Sequence, residues 1–447
     1  MPSPSERWYE RPLAPALTIA LICGVAVLLN PQSPFRGMDI VEESRWESAQ
    51  IAYSLFAGHG FSSPFHGAQS GPTAWLPPIY PWITAALYRL FGVYSTSFAI
   101  AMRALNIAFV ALNAVLIFRI TKRCFGRRCA VLASWTWALL PYMLLFAPGF
   151  LTIPFDPSYQ LLGWYFALSS FLMTLLFYLT LQAESSRSLP FWWLYGLVWG
   201  LAALTNPVLL AFAPAALWFQ FRHASIGRRS ASCTLVAFVV ILSPWLIRNT
   251  LVFHRPAFIR DNFGAELRAG NCEWCEGQWF PAAYPALGHR ELQNFVQLGE
   301  RNFIDIETRK ATYFIIHNPG RFLLLTSRRI VYFWAGPPLG SNRYPAFSGF
   351  RNSLYLLSSL LSFAGLWRAY QQRNRYAGLF AGVMLFYPLV YYLTFTTDEY
   401  RIPIEPLLLI LGTYALFGHG AHRFTLTDGA PSRLTDGAPG SRASVAH

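Results

Sequence analysis

Long apolar runs separated by short charged loops dominate the chain. No charged residue lies between Arg11 and Arg36, Arg128 and Asp156, Asp156 and Glu184, or Arg187 and Arg222. The same holds for Arg229 to Arg248, Arg351 to Arg368, and Arg375 to Asp398. A helix that crosses a bilayer needs about 20 mostly apolar residues, and a soluble core does not carry so many runs of that length. The pattern predicts an all-α polytopic membrane protein and not the short alternating strands of a β-barrel. Spans are expected near 12–30, 97–118, 129–148, 159–183, 189–205, 207–221, 231–250, 352–367, 376–396 and 403–420. Asn206-Pro207 splits one apolar run into a hairpin of two short spans, because Pro in mid-helix removes a backbone hydrogen bond. The run 14–30 ends in Asn30-Pro31 without a small-x-small cleavage site, so it reads as a retained signal anchor.

Charge sets the expected orientation. The formal net charge of +14 comes with only two lysines, Lys122 and Lys310, so nearly all the cations are arginine. Such an excess suits nucleic acid or anionic lipid, and its distribution selects the bilayer. Basic residues collect in short loops at 119–128, 222–229 and 368–375, which the positive-inside rule places in the cytoplasm with the N-terminus. Two longer loops, about 31–96 and 251–350, carry most of the acids and fall outside. Within them the apolar stretches 76–91 and 322–339 would break this parity if either crossed alone. They are expected as interfacial or partly inserted helices on the outer side. The tail 425–447 repeats Leu-Thr-Asp-Gly-Ala-Pro at 426–431 and 434–439. Its Gly, Pro and Ser content predicts disorder, which leaves 1–424 as one transmembrane domain.

The first long loop is the most informative stretch. Its residues 45–65 begin with a short helix that places Trp46, Ile51, Leu55 and Phe56 on or near one face and stops at Gly58 and Gly60. An amphipathic helix with carboxylates on the membrane surface suits a site where a polar acceptor meets a lipid-borne donor. Then follow Pro-Pro-Ile-Tyr-Pro at 77–81 and Leu-Phe-Gly at 90–92. Further along stand Lys-Arg-Cys-Phe-Gly-Arg-Arg at 122–128, Asp156-Pro157, Leu-Thr-Asn-Pro at 204–207, Pro-Trp-Leu-Ile-Arg-Asn at 244–249, and Tyr-Arg-Ile-Pro-Ile-Glu-Pro at 400–406. As an ordered set, these motifs resemble the family 39 glycosyltransferases, the bacterial relatives of protein mannosyltransferases and of the aminoarabinose transferase. The resemblance extends over most of 12–418. It implies a GT-C fold of about 10–12 transmembrane helices with interfacial helices on the outer face. It also implies inverting transfer of a sugar from a polyprenyl-phosphate donor to a glycan, lipid or protein acceptor at the outer face of the plasma (inner) membrane, with no metal, cofactor or nucleic acid.

That chemistry requires a carboxylate to take the acceptor's proton and a cation to hold the departing phosphate. The family usually shows an acidic pair, often Asp-Glu, at the start of the first outer loop, and this chain departs from it. Glu47 is the first candidate base, with Asp39, Glu42 and Glu43 near enough to compete and solvated loop carboxylates as the bland alternative. Asp156, at the outer end of the third span, reads as a second catalytic acid or as a helix N-cap. Arg401 beside Tyr400 is a candidate phosphate clamp or an interfacial anchor, and Arg248 is a weaker candidate for the same role. Glu266 reads as a contact to acceptor or sugar, or as a surface residue. His59 joins the binding candidates, although a lone His more often packs or hydrogen-bonds than binds metal.

Cys272 and Cys275 form a Cys-x-x-Cys whose plainest reading in an outer loop is a local disulfide. No P-loop, Gly-x-Gly-x-x-Gly or Gly-x-Ser-x-Gly occurs, so a nucleotide-sugar donor has no visible cradle. The competing functions are a transporter or flippase of lipid-linked sugars, which would place ionisable residues in mid-membrane, and a non-catalytic assembly protein.

Overall fold

The computed structural model describes residues 7–31, 43–145, 164–223, 227–256, 258–280, 284–337 and 345–418. Asp39, Glu42, Asp156 and the tail 425–447 lie outside these residues. Among the described residues the chain is helical, with one isolated bridge between Ser62 and Pro72. The helices are α1 Leu13–Leu29, α2 Glu47–Phe56, α3 Ile79–Phe91, α4 Thr96–Phe125, α5 Arg127–Leu145, α6 Phe166–Ala183, α7 Leu189–Thr205, α8 Ala213–His223 and α9 Arg228–Phe253. There follow α10 Phe263–Gly270, α11 His289–Leu298, α12 Glu300–His317, α13 Pro319–Ala335, α14 Pro345–Gln371, α15 Ala377–Phe386, α16 Leu389–Leu393 and α17 Glu405–Phe417. Three of the helices long and apolar enough to cross a membrane are α4, α6 and α9, and the fourth is the stretch Asp398–Phe417.

The helices end where the sequence supplies stops. Ser95 caps α4 by accepting from the Phe98 amide at 3.0 Å. The same helix closes at Gly126, whose φ of 90° suits glycine, with Lys122 and Arg123 in its last turn. At the break after α7, the Asn206 side chain accepts from the Val208 amide at 3.2 Å and Pro207 opens a 3₁₀ turn, Pro207–Phe212, that leads into α8. The chain reverses there, as the Asn-Pro pair predicts. α4 packs on α1, α5 and α6, α14 packs on α17, and α7 packs on α9.

The two long loops meet on one face of this bundle, termed the loop face. The two apolar stretches within them form α3 and α13. α3 has 13 residues, which at about 1.5 Å per residue span roughly 20 Å against a hydrocarbon core of about 30 Å. It buries Tyr80, Thr84 and Tyr88 and exposes Trp82 and Leu90. α13 is tied to the loop face through the fully buried Arg329, which donates to the Tyr392 and Leu393 carbonyls at 3.1 and 3.0 Å.

Two sequence expectations change in detail. α2 forms where expected, but its buried face is Ser48, Ala49, Ile51 and Ala52, with Phe56 exposed. Small residues let α2 lie close against α3, a contact that the bulkier Phe56 would prevent. The outer end of α4 is not free of charge: Arg103 is buried and paired with Glu43 through both guanidinium nitrogens. That pairing commits Glu43 to the fold and removes it as a candidate base.

Candidate active site

The loops are joined by a layer of polar and aromatic contacts. Glu300, the first residue of α12, accepts from the Ala74 amide at 2.6 Å and from the Thr73 hydroxyl. The Asp261 amide donates to the Ala74 carbonyl at 2.9 Å. Around these bonds Phe65, Trp75 and Phe295 pack edge to face, with ring centroids 4.9 to 5.6 Å apart. Burial raises the Glu300 carboxyl to about 8, against the two hydrogen bonds it accepts.

Behind Tyr284, whose ring packs on Phe65 and Trp75 of this layer, lies a cavity of about 400 Å³ lined by Glu47, Arg260, Glu266, Tyr284, Glu399 and Tyr400 among others. Glu47 enters from the first turn of α2 and accepts a hydrogen bond from the Tyr284 hydroxyl. Tyr284 is held by ring contacts to Phe65, Trp75 and Trp279 at 5.4 to 5.9 Å. Glu266 enters from the first turn of α10. One of its oxygens accepts from Arg260 Nη2 at 2.8 Å and from Asn262 Nδ2 at 2.7 Å. Arg260 Nε donates to the Trp75 carbonyl at 3.2 Å, which fixes the guanidinium relative to the first loop.

The electrostatics follow from burial. Burial pushes the Glu47 carboxyl above its usual range, opposed by the Tyr284 hydrogen bond and the Arg260 charge. It also raises Glu266, against Arg260 and with a further push from Glu47. Burial disfavours the Arg260 charge, but Glu266 leads a set of neighbours that more than offsets this and holds the guanidinium protonated. Tyr284 is pushed well above the usual phenol range by burial and the Glu47 charge, so it remains a donor. The result is a pair of carboxyls with raised proton affinity, Glu47 and Glu266, beside one fixed cation.

A second cavity of about 370 Å³ adjoins the first and shares Tyr165, Arg260, Glu266 and Tyr400 with it. Its other walls include Pro207, Val208, Leu210 and Val390, so it reaches the break after α7 and opens among apolar side chains. Arg260 and Glu266 therefore stand at the junction of a polar chamber and an apolar one.

The structure brings together Glu47, Glu266 and Tyr400 of the residues expected from sequence. It places three others elsewhere. Arg401 is buried, pairs with Glu405 one turn later, donates to Ser359 at 2.8 Å and lies 4.8 Å from the Tyr355 ring centroid. It is part of the bundle's interior and does not line either cavity, so the expected phosphate clamp is corrected. Arg248 donates to the Thr73 and Phe61 carbonyls at 2.7 and 2.8 Å and lies over Trp245, which makes it a clip on the first loop. His59 is exposed at the end of α2 and lies on neither cavity. Arg260, Tyr284 and Glu399 are the cavity residues that the sequence reading did not single out.

Cys272 and Cys275 are joined in a disulfide, with their α-carbons 5.0 Å apart. Among the described residues no group of three His, Cys, Asp or Glu side chains is placed to hold a metal ion.

Residues 76–247 match the family model for dolichyl-phosphate-mannose-protein mannosyltransferase. No curated protein sequence matches the chain. Among solved structures, ArnT from Cupriavidus metallidurans bound to undecaprenyl phosphate superposes with a TM-score of 0.51 at 16% identity. The match covers 90% of this chain and 59% of that one. The Archaeoglobus fulgidus oligosaccharyltransferase tethered to an acceptor peptide superposes with a TM-score of 0.51 at 14% identity, covering 92% of this chain and 50% of that one. The chain has the GT-C glycosyltransferase fold. It spans 59% and 50% of the length of these two relatives, and what it shares with them is the membrane-embedded architecture.

Proposed function

We propose that this protein is a membrane glycosyltransferase of GT-C type that moves a sugar from a polyprenyl-phosphate donor to a hydroxyl-bearing acceptor at the loop face. The single observation that carries this reading is the convergence of Glu47 and Arg260, from two different loops, on one cavity whose neighbour is apolar. The match to a mannosyltransferase family model over 76–247 supports the reaction class. The undecaprenyl phosphate bound to ArnT supports the donor class.

The acceptor hydroxyl occupies the polar chamber and loses its proton to Glu47 as its oxygen attacks the anomeric carbon. The bond from that carbon to the phosphate oxygen breaks, and the polyprenyl phosphate leaves with the electron pair. One displacement of this kind inverts the anomeric centre. Arg260 stabilises the leaving phosphate: its Nε and Nη2 are engaged by Trp75 and Glu266, which leaves Nη1 for a phosphate oxygen. The raised Glu47 carboxyl is a stronger base than an exposed glutamate would be. The polyprenyl chain extends into the apolar chamber. In this reading the loop face lies outside the plasma (inner) membrane, and the arginine-rich loops lie in the cytoplasm with the N-terminus.

The test is sugar transfer by the purified full chain supplied with a polyprenyl-phosphate sugar. Glu47→Gln should lower turnover by roughly 10²–10⁴-fold, the range of a lost general base, with thermal unfolding unchanged. Full turnover by that variant would sink the assignment.

A further inference from the structure

On the arginine-rich side of the bundle a separate cleft of about 400 Å³ opens between α7, α8 and α9, lined by Trp192, Trp199, Leu217, Gln220, Arg228 and Phe238 among others. Its origin lies in the helix crossing. α7 and α9 approach at Gly196 and Gly200, where an added β-carbon would collide with the Thr234 carbonyl and the Ile241 side chain. α8 meanwhile packs on α15, so a wedge is left where α7 and α9 diverge from it. The rim is open to the bilayer, with Leu217 and Leu235 52% and 62% exposed.

The two ends of the cleft differ in chemistry. Trp199, Leu217, Leu235 and Phe238 make one end apolar. At the other end stand Trp192, Gln220 and Arg228, which are the start of α7, the end of α8 and the first residue of α9. Gln220 is spent on the Tyr195 hydroxyl at 2.9 Å. Trp192 is 3% exposed, and its indole N–H has no acceptor among the described residues. Arg228 is exposed, and among the described residues the first turn of the 26-residue α9 has no side-chain cap at Gly227, a helix start of the kind that suits an anion. Arg222 and Arg229 flank the same end, and the sequence holds no Asp or Glu from 185 to 260. An orphaned buried donor, an exposed arginine and an uncapped helix start, with no acid nearby in sequence, match an anionic head group. The apolar end matches a chain.

We propose that this cleft binds an anionic phospholipid from the leaflet at the arginine-rich face. Its phosphate lies at Arg228 and the first turn of α9, an oxygen of its head group or ester accepts from the Trp192 indole, and one acyl chain runs along Trp199 and Phe238. The site does not depend on the proposed transfer reaction.

The experiment is native mass spectrometry of the delipidated full chain titrated with phosphatidylglycerol, phosphatidylcholine or undecaprenyl phosphate. One phosphatidylglycerol should bind about tenfold more tightly than phosphatidylcholine, whose choline cation would sit among Arg222, Arg228 and Arg229. Arg228→Gln and the packing-conserving Trp192→Phe should each weaken it severalfold while leaving undecaprenyl phosphate binding unchanged. Equal binding of the two phospholipids, or wild-type binding by both variants, would overturn the proposal. So would displacement of the phosphatidylglycerol by one equivalent of undecaprenyl phosphate, which would assign the cleft to the polyprenyl lipid.

Discussion

Two arginine–glutamate pairs border the loop face, and their surroundings set them apart. Arg401 and Glu405 are each 1% exposed and lie inside the bundle, with serine hydroxyls and a tyrosine ring around the guanidinium. Arg260 and Glu266 are 23% and 15% exposed and stand where two cavities join. The first pair has its donors turned inward to the protein. The second keeps one guanidinium nitrogen for a ligand. Sequence alone makes Arg401 the more attractive phosphate clamp, since Tyr-Arg opens the last span. The comparison shows that an arginine's role follows from what closes around it, and that a buried ion pair is a structural commitment.

Substitution separates the two pairs most strongly. Arg401→Met leaves Glu405 without its partner in the interior, and breaking a buried pair from one side costs roughly 3–5 kcal/mol. Thermal or denaturant unfolding in detergent should register that loss. Arg260→Met should cost less than that, because the pair is less deeply buried and Asn262 still holds Glu266. It should nonetheless lower turnover by roughly 10²–10³-fold, as the loss of one charge-stabilising donor does. A stable, inactive Arg401→Met would reverse the two roles.

A smaller effect sharpens the Glu47 side of the cavity. Tyr284→Phe removes the hydrogen bond that holds the Glu47 carboxyl down, so that carboxyl should rise further. A base must be deprotonated, so the acid limb of kcat/KM against pH should move to higher pH, with turnover at neutral pH falling by about tenfold or less. An unmoved limb would detach Glu47 from that titration.

The smallest effect concerns the layer joining the loops. The folded-state carboxyl of Glu300 rises from 4.5 to about 8. Between those values the folded chain keeps a proton that the unfolded chain releases, so this residue's contribution to stability declines as pH rises from about 4.5 to 8 and is level above. Glu300→Gln should flatten that part of the stability–pH curve, measured by unfolding at several pH values. An unchanged slope would assign it to another group.

Much of the membrane bundle was legible because a bilayer imposes one rule on sequence: long uncharged runs between charged loops. The Asn206-Pro207 break was legible as well, because Pro removes a backbone hydrogen bond from a helix. Glu47 and Glu266 stood out because acids are scarce in the chain and most of them fall in the two long loops. Arg260 was missed because nothing local distinguishes a loop arginine that faces a cavity. Tyr284 lies 237 residues from Glu47, and no periodicity relates them. Arg401 was over-read, yet its fate carried a sign: Glu405 follows at i+4, the spacing at which a helix brings opposite charges together.

The central claim is that Arg260, and not Glu47, holds the donor's phosphate, while both serve one cavity. Equilibrium binding of undecaprenyl phosphate to the purified full chain tests it most directly. Arg260→Gln should weaken binding by at least about tenfold, in line with a lost charge-assisted contact, while Glu47→Gln binds as the wild type does. Wild-type affinity in Arg260→Gln, with affinity lost in Glu47→Gln, would contradict the account.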